Sequence, residues 1–90
     1  GYYSVSLVDW GEAVLKKQPL PGRAILITFD DGYQDFYDYA FPLLKHYGFS
    51  ATVFLVANNI GKTNTWDSFY NEELPLMRWD NIKELQSEGI

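Results

Sequence analysis

The sequence predicts an α/β fold built on a parallel βαβ unit, and three observations carry that prediction. Residues 24–29 (Ala-Ile-Leu-Ile-Thr-Phe) and 51–56 (Ala-Thr-Val-Phe-Leu-Val) are nearly unbroken apolar runs rich in β-branched residues. Such runs lack the alternation of a sheet with one wet face and read as strands buried on both faces, as in a parallel sheet covered by helices. Between them lies a helical segment with Phe41, Leu44 and Tyr47 recurring on one face. Strand, helix and strand in that order make a βαβ unit with a right-handed crossover expected.

Residues 1–7 are too short a stretch to assign. Asp9 is placed to N-cap a helix over residues 10–17, with Glu12 completing a capping box, although Gly11 weakens it. Gln18-Pro19-Leu20-Pro21-Gly22 ends that helix as a stiff connection. Residues 1–22 thus read as a lead-in and 23–90 as the main unit. Asp30-Asp31-Gly32 stops the first strand. The next helix is expected over residues 37–47. Asp35 or Asp38 caps it, Pro42 is tolerable only in its first turn, and Gly48 suits the position past its end. After the second strand, residues 57–77 form a long polar connection containing Asn58, Asn59, Gly61, Asn64 and Pro75. Loops of that length in compact domains are usually functional or disordered. Asp80 caps a last helix over residues 81–87, stapled by Trp79, with Gly89 past its end. There is no internal repeat or low-complexity segment.

Composition narrows the function. Ninety residues suffice for one small domain, and 47% hydrophobic residues supply its core. The net charge of −5 and scattered basic residues, Lys16-Lys17 being the one adjacent pair, argue against nucleic acid as a partner. Without cysteine there is neither a disulfide nor a thiolate metal site. No apolar run approaches the ~20 residues that span a bilayer, and no leader pattern opens the chain. It begins with Gly1 rather than Met, as an excised or processed chain would, and an export signal lost before it remains open. The 18% aromatic content has two readings: core filling, or a surface on which pyranose rings stack.

Sites of parallel α/β folds assemble at the carboxyl ends of strands, where Asp30 and Asp31 fall. Strict alternation would send their side chains to opposite faces. They converge only if the chain bends out of the strand there, and Gly32 permits the bend. Two carboxylates at one strand end divide labour: one binds a divalent metal, the other takes a proton from a water acidified by that metal. The combination suits amide or ester hydrolysis. The same five residues also serve as an ordinary turn in which Asp caps backbone amides.

Thr28-Phe29-Asp30-Asp31-Gly32, the stretch Phe41-Pro42-Leu43-Leu44-Lys45-His46-Tyr47-Gly48-Phe49-Ser50-Ala51-Thr52-Val53-Phe54-Leu55-Val56, and the tail from Leu76-Met77-Arg78-Trp79-Asp80 to Ser87-Glu88-Gly89-Ile90 together resemble a NodB-type polysaccharide deacetylase domain, carbohydrate esterase family 4. The resemblance covers roughly residues 20–90. It implies a distorted (β/α) barrel, of which residues 23–90 are the truncated N-terminal portion. It also implies removal of acetyl groups from an N-acetylated polysaccharide, a divalent metal, most often zinc, and work in the cell envelope or outside the cell. On the matching positions, Asp30 is implied as general base and Asp31 as metal ligand.

The family's paired metal-binding histidines and its later motifs are not among these residues. The one histidine, His46, falls near the far end of the helix, where about nine residues at 1.5 Å each put it roughly 13 Å from the strand-end rim. It reads as a helix-terminal histidine, not a ligand. A catalytic zinc normally takes three protein ligands. The chain by itself is therefore expected to lack activity, with its other ligands outside.

The loop after the second strand faces the same rim in a barrel. Trp66, Asn58, Asn59 and Tyr33 are therefore candidate sugar contacts, with Lys62, Thr63, Asn64 and Asp67 beside them. The competing reading is an ordinary solvated loop with Trp66 folded onto the body, and with Tyr33, Phe36 and Tyr37 as packing residues. Two other functions compete with deacetylation. A Mg-dependent phosphoryl-transfer enzyme would also use strand-end carboxylates, but the chain has no Gly-rich phosphate cradle. A non-catalytic carbohydrate-binding fragment is the third. Two βα units leave an open sheet edge, so self-association is expected.

Overall fold

A computed structural model of the chain describes residues 1–66 and 73–90. The elements run β1 (Tyr2–Ser4), α1 (Leu7–Leu15), β2 (Arg23–Ile25), β3 (Thr28–Asp31), a π-helical turn (Phe36–Ala40), α2 (Phe41–Tyr47), β4 (Thr52–Leu55), a short 3₁₀ turn (Ala57–Asn59) and α3 (Trp79–Ser87). The expected order of strand, helix and parallel strand is present: β3 and β4 pair in parallel, with Thr28 opposite Thr52 and Asp31 opposite Leu55.

The apolar run at residues 24–29 does not form one strand. Its first part belongs to β2, which pairs in parallel with β1 from Tyr2↔Arg23 to Ser4↔Ile25. Its end opens β3, which runs on through both aspartates instead of stopping before them. The Ile27 carbonyl accepts from the Thr52 N–H at 2.8 Å, so the pairing partner changes within the run. The unassigned N-terminus thus contributes a strand. Burial on both faces is not what the described residues provide: Ala24 to Ile27 and Phe29 are half-buried and Thr28 is exposed.

One face of β3 and β4 is covered. Phe36, Phe41, Met77 and Leu85 form the buried cluster, and Phe29, Val53, Leu44 and Ile82 pack against it. Phe29 and Phe36 meet edge to face with centroids 4.6 Å apart. On β4, Phe54 and Leu55 remain exposed.

Helix boundaries differ from expectation for local reasons. Ser6, not Asp9, caps α1: its hydroxyl accepts from the Asp9 N–H at 3.0 Å, starting the helix three residues early. At α3 the cap position is Arg78, not Asp80, and the Asn81 side chain reaches back to accept from the Arg78 N–H at 3.1 Å. Trp79, expected to staple this helix, is 58% exposed. The middle helix begins as a π turn, closed by the Phe41 N–H on the Phe36 carbonyl. Pro42 follows directly; it has no N–H to offer and its ring crowds the carbonyl four residues back, which favours a widened turn. Pro42 does fall in the first turn of α2, and Gly48 ends it at φ 71°, both as expected.

Candidate functional site

Asp30 and Asp31 occupy the last two positions of β3, the first exposed and the second half-buried. Asp31 has φ 75° and Gly32 φ 72°, so two consecutive residues are left-handed. The bend out of the strand therefore begins at Asp31 itself, one residue before the glycine expected to permit it. A non-glycine residue in that region is strained, and such strain persists only where neighbours hold it. The holding segment is the return of the long loop. The Met77 N–H donates to the Gly32 carbonyl at 2.9 Å, the Gln34 N–H donates to the Pro75 carbonyl at 2.9 Å, and Tyr33 forms an isolated bridge with Leu76. Leu76 and Met77 are 3% and 1% exposed. A side chain at Gly32 would be strained by the left-handed φ, and its Cβ would sit 2.7 Å from Leu55 Cδ2, so that side-chain end would have to shift.

Beside the strand end, a cavity of about 370 Å³ opens between β3 and the π turn; Asp30 and Tyr33 line it, and Asp31 does not. Tyr33 and Trp66 are brought together, with ring centroids 6.4 Å apart at 34°, and Trp66 is 42% exposed. Asn58 is exposed on the 3₁₀ turn that opens the loop. Asn59 directs its amide nitrogen to the Thr63 carbonyl at 3.1 Å and to the Thr65 hydroxyl at 3.3 Å, so it organises the loop. Asn64 is buried and accepts from the Leu74 N–H at 2.6 Å. Lys62 is exposed, and the Thr63 hydroxyl lies 3.3 Å from Glu73 Oε2. Asp67 lies outside the described residues.

His46 is exposed in the last turn of α2, edge-on to Tyr47, as the helix geometry predicts. Among the described residues, no three His, Cys, Asp or Glu side chains gather where they could hold a metal ion. The carboxylates of Asp30 and Asp31 are suitable oxygen donors, but alone they do not complete a catalytic metal site.

β3 belongs to a parallel pair and carries two adjacent acidic residues at its carboxyl end, beside a strained bend, which places the chain in the class of α/β enzymes whose sites form at strand ends. Within that class the chain belongs to the polysaccharide deacetylase family, whose family model matches residues 17–90. It is 41% identical over 75 residues to the poly-beta-1,6-N-acetyl-D-glucosamine N-deacetylase of Staphylococcus epidermidis, an alignment covering 83% of this chain and 24% of that protein. Among solved structures it is similar to IcaB from Ammonifex degensii, with TM-score 0.80 and 28% identity over 99% of this chain and 35% of that one. The BpsB deacetylase domain from Bordetella bronchiseptica gives TM-score 0.73 and 30% identity over 99% of this chain and 36% of that one. The chain thus spans about a quarter of the length of the S. epidermidis relative. The family suggests a divalent metal cofactor.

Proposed function

We propose that these residues form the first catalytic element of a metal-dependent deacetylase acting on an N-acetylated polysaccharide, within the N-terminal portion of a distorted (β/α) barrel. The observation that carries the reading is the Asp30-Asp31-Gly32 bend, in which Asp31 leaves strand alternation at φ 75°. Such a departure is what two adjacent carboxylates need if both are to serve one rim. Asp31 would hold the metal, proposed to be zinc, together with ligands from outside the described residues. When bound, such an ion acidifies water and polarises a carbonyl.

Asp30 then acts as base: it takes a proton from water as the water oxygen bonds to the acetamide carbon. The C–N bond breaks, the nitrogen gains a proton, and acetate and a free amine result. Tyr33 and Trp66, paired at the rim, would offer a sugar ring an aromatic face, with Asn58 and Asn59 on the loop below. The name of the S. epidermidis relative supports a β-1,6-linked N-acetylglucosamine polymer as the substrate. Family membership sets aside the phosphoryl-transfer reading.

The test is a chimera in which the matching segment of the S. epidermidis relative is replaced by this chain. It should release acetate from the polymer, and Asp30→Asn should lower that rate by roughly 10²- to 10⁴-fold, as loss of a general base does. Full activity in Asp30→Asn would refute the role. The isolated 90 residues should release no acetate with added Zn²⁺ and should bind it weakly by calorimetry. Turnover that Asp31→Ala abolishes would contradict this. Phe54 and Leu55 are exposed on β4, so we also expect the isolated chain to self-associate; a concentration-independent monomer in sedimentation would exclude that.

A further inference from the structure

We propose that the cavity beside Asp30 is a subsite for a sugar unit that already bears a free ammonium group, with Tyr39 as its stacking face and Asp35 as its charge partner. The proposal rests on the deacetylase reading and specifies the unit of the polymer next to the reacting one. The cavity, about 370 Å³, is walled by Asp30, Tyr33, Asp35 and Tyr39, with Phe29 and Phe36 among its apolar lining. That is at the small end of ligand sites and suits a single ring.

Tyr39 is 74% exposed, and among the described residues it joins none of the aromatic pairs. It is carried on the π turn at Phe36–Ala40, a distortion frequent at functional sites. An open aromatic face on a cavity wall attracts sugar C–H groups and, through its quadrupole, cations.

Asp35 holds the cap position of the same turn, yet its side chain makes no capping hydrogen bond. The ion pairs among the described residues, Lys45–Glu88 and Arg78–Asp80, do not involve it. From Ala24 to Leu44 the sequence contains no lysine or arginine, while Asp30, Asp31, Asp35 and Asp38 all fall in that stretch. The cavity therefore pairs an aromatic face with carboxylate charge and has no basic side chain in its wall. Charge complementarity favours a cation over a neutral acetamide. The product of deacetylation is such a cation: an amine is protonated below about pH 7.7, whereas an acetamide is neutral. The reaction is thereby biased toward units whose neighbour has already lost its acetyl group.

The experiment is an NMR titration at pH 6 of the 90-residue chain and of the chimera, with glucosamine trimers and N-acetylglucosamine trimers. The glucosamine trimer should bind about threefold more tightly, the scale of an exposed ion pair. Asp35→Asn should erase that preference without weakening the acetylated trimer. Tyr39→Ala should weaken both by about tenfold, and Tyr39→Phe should restore most of the loss. Equal affinities in the wild type, or a preference that survives Asp35→Asn, would overturn the proposal. The chimera is titrated with its metal removed by chelation, so binding is read without turnover and the two readings fail separately. An inactive chimera that keeps the preference sinks the deacetylase assignment alone. An active chimera without the preference sinks the subsite alone.

Discussion

β2 and β3 lie in one continuous stretch of chain, yet they belong to two different kinds of structure. β2 pairs with β1 at the N-terminal side, where Val5 is the one buried residue among residues 1–25. β3 pairs with β4 and rests on the cluster of Phe36, Phe41, Met77 and Leu85. The helices repeat the contrast. α1 and α3 are each nine residues long. α1 is the more apolar by sequence, with Leu7, Val8, Trp10, Val14 and Leu15, yet none of its residues is buried. α3 is mostly polar and buries Asn81 and Leu85. Burial here follows from what an element lies against, and the strained Asp31 bend sits on the half with the core. A backbone held in an unfavourable conformation needs packed neighbours to hold it.

The largest expected effect comes from removing the core under that bend. Phe36 is 4% exposed and contacts Phe29 edge to face. Phe36→Ala should destabilise the chain by roughly 3–5 kcal/mol, as large-to-small aromatic substitutions in cores do. Urea unfolding followed by circular dichroism measures it. A loss below about 1 kcal/mol would mean that the β3–β4 half is not the stable half.

Gly32→Ala should come next. The residue sits at φ 72°, and its new Cβ would approach Leu55 Cδ2 to 2.7 Å. A left-handed non-glycine residue costs roughly 1–2 kcal/mol, and the flexible end of Leu55 can absorb part of the contact. In the chimera this variant should lose more activity than its loss of stability explains, because it displaces both carboxylates. Unchanged kcat/KM would separate the bend from the chemistry. Val5→Ala, in the other half, removes two methyl-sized groups from a site 8% exposed and should cost about 1.5 kcal/mol. It should leave the activity of the chimera unchanged. A larger cost than Phe36→Ala would reverse the ranking of the two halves.

The same contrast explains what could be read from the sequence. The strands were legible because apolar β-branched runs are local signals, and Asp30 and Asp31 because the five-residue motif is contiguous. The division of residues 24–29 between two ladders was not, since it depends on β1 and β4, distant in sequence. Leu76 and Met77 lie in a stretch read as a polar loop, although Leu74-Pro75-Leu76-Met77 was a visible apolar interruption. Their burial requires Gly32 and the cluster around Phe36. Ser6 and Asn81 are masked as capping groups in the sequence because Asp9 and Asp80 offer equally good local patterns. Pro42 signals a constraint on the first turn of a helix, whereas the widened turn before it, which carries Tyr39, has no local signature in the sequence.

The smallest effect concerns a bond that ties the π turn to α3. The Tyr37 hydroxyl donates to the Glu84 carboxylate. That hydrogen bond, aided by burial and by the charges of Glu84, Asp80 and Asp38, raises the phenol above its ordinary value of 10.0. A phenol whose proton is held more tightly in the folded chain stabilises it fully below the unfolded value. The contribution is lost as pH rises from about 10 through the folded value, because the unfolded chain then releases the proton first. Wild type should therefore exceed Tyr37→Phe slightly in urea midpoint at pH 8, and the gap should close as the pH is raised past 10. In the β1–β2 half, the Tyr3 hydroxyl donates to the Pro21 carbonyl, a neutral acceptor, so Tyr3→Phe supplies the control. If the Tyr37→Phe gap is constant from pH 8 to 11, the Glu84 bond does not couple the turn that carries Tyr39 to α3.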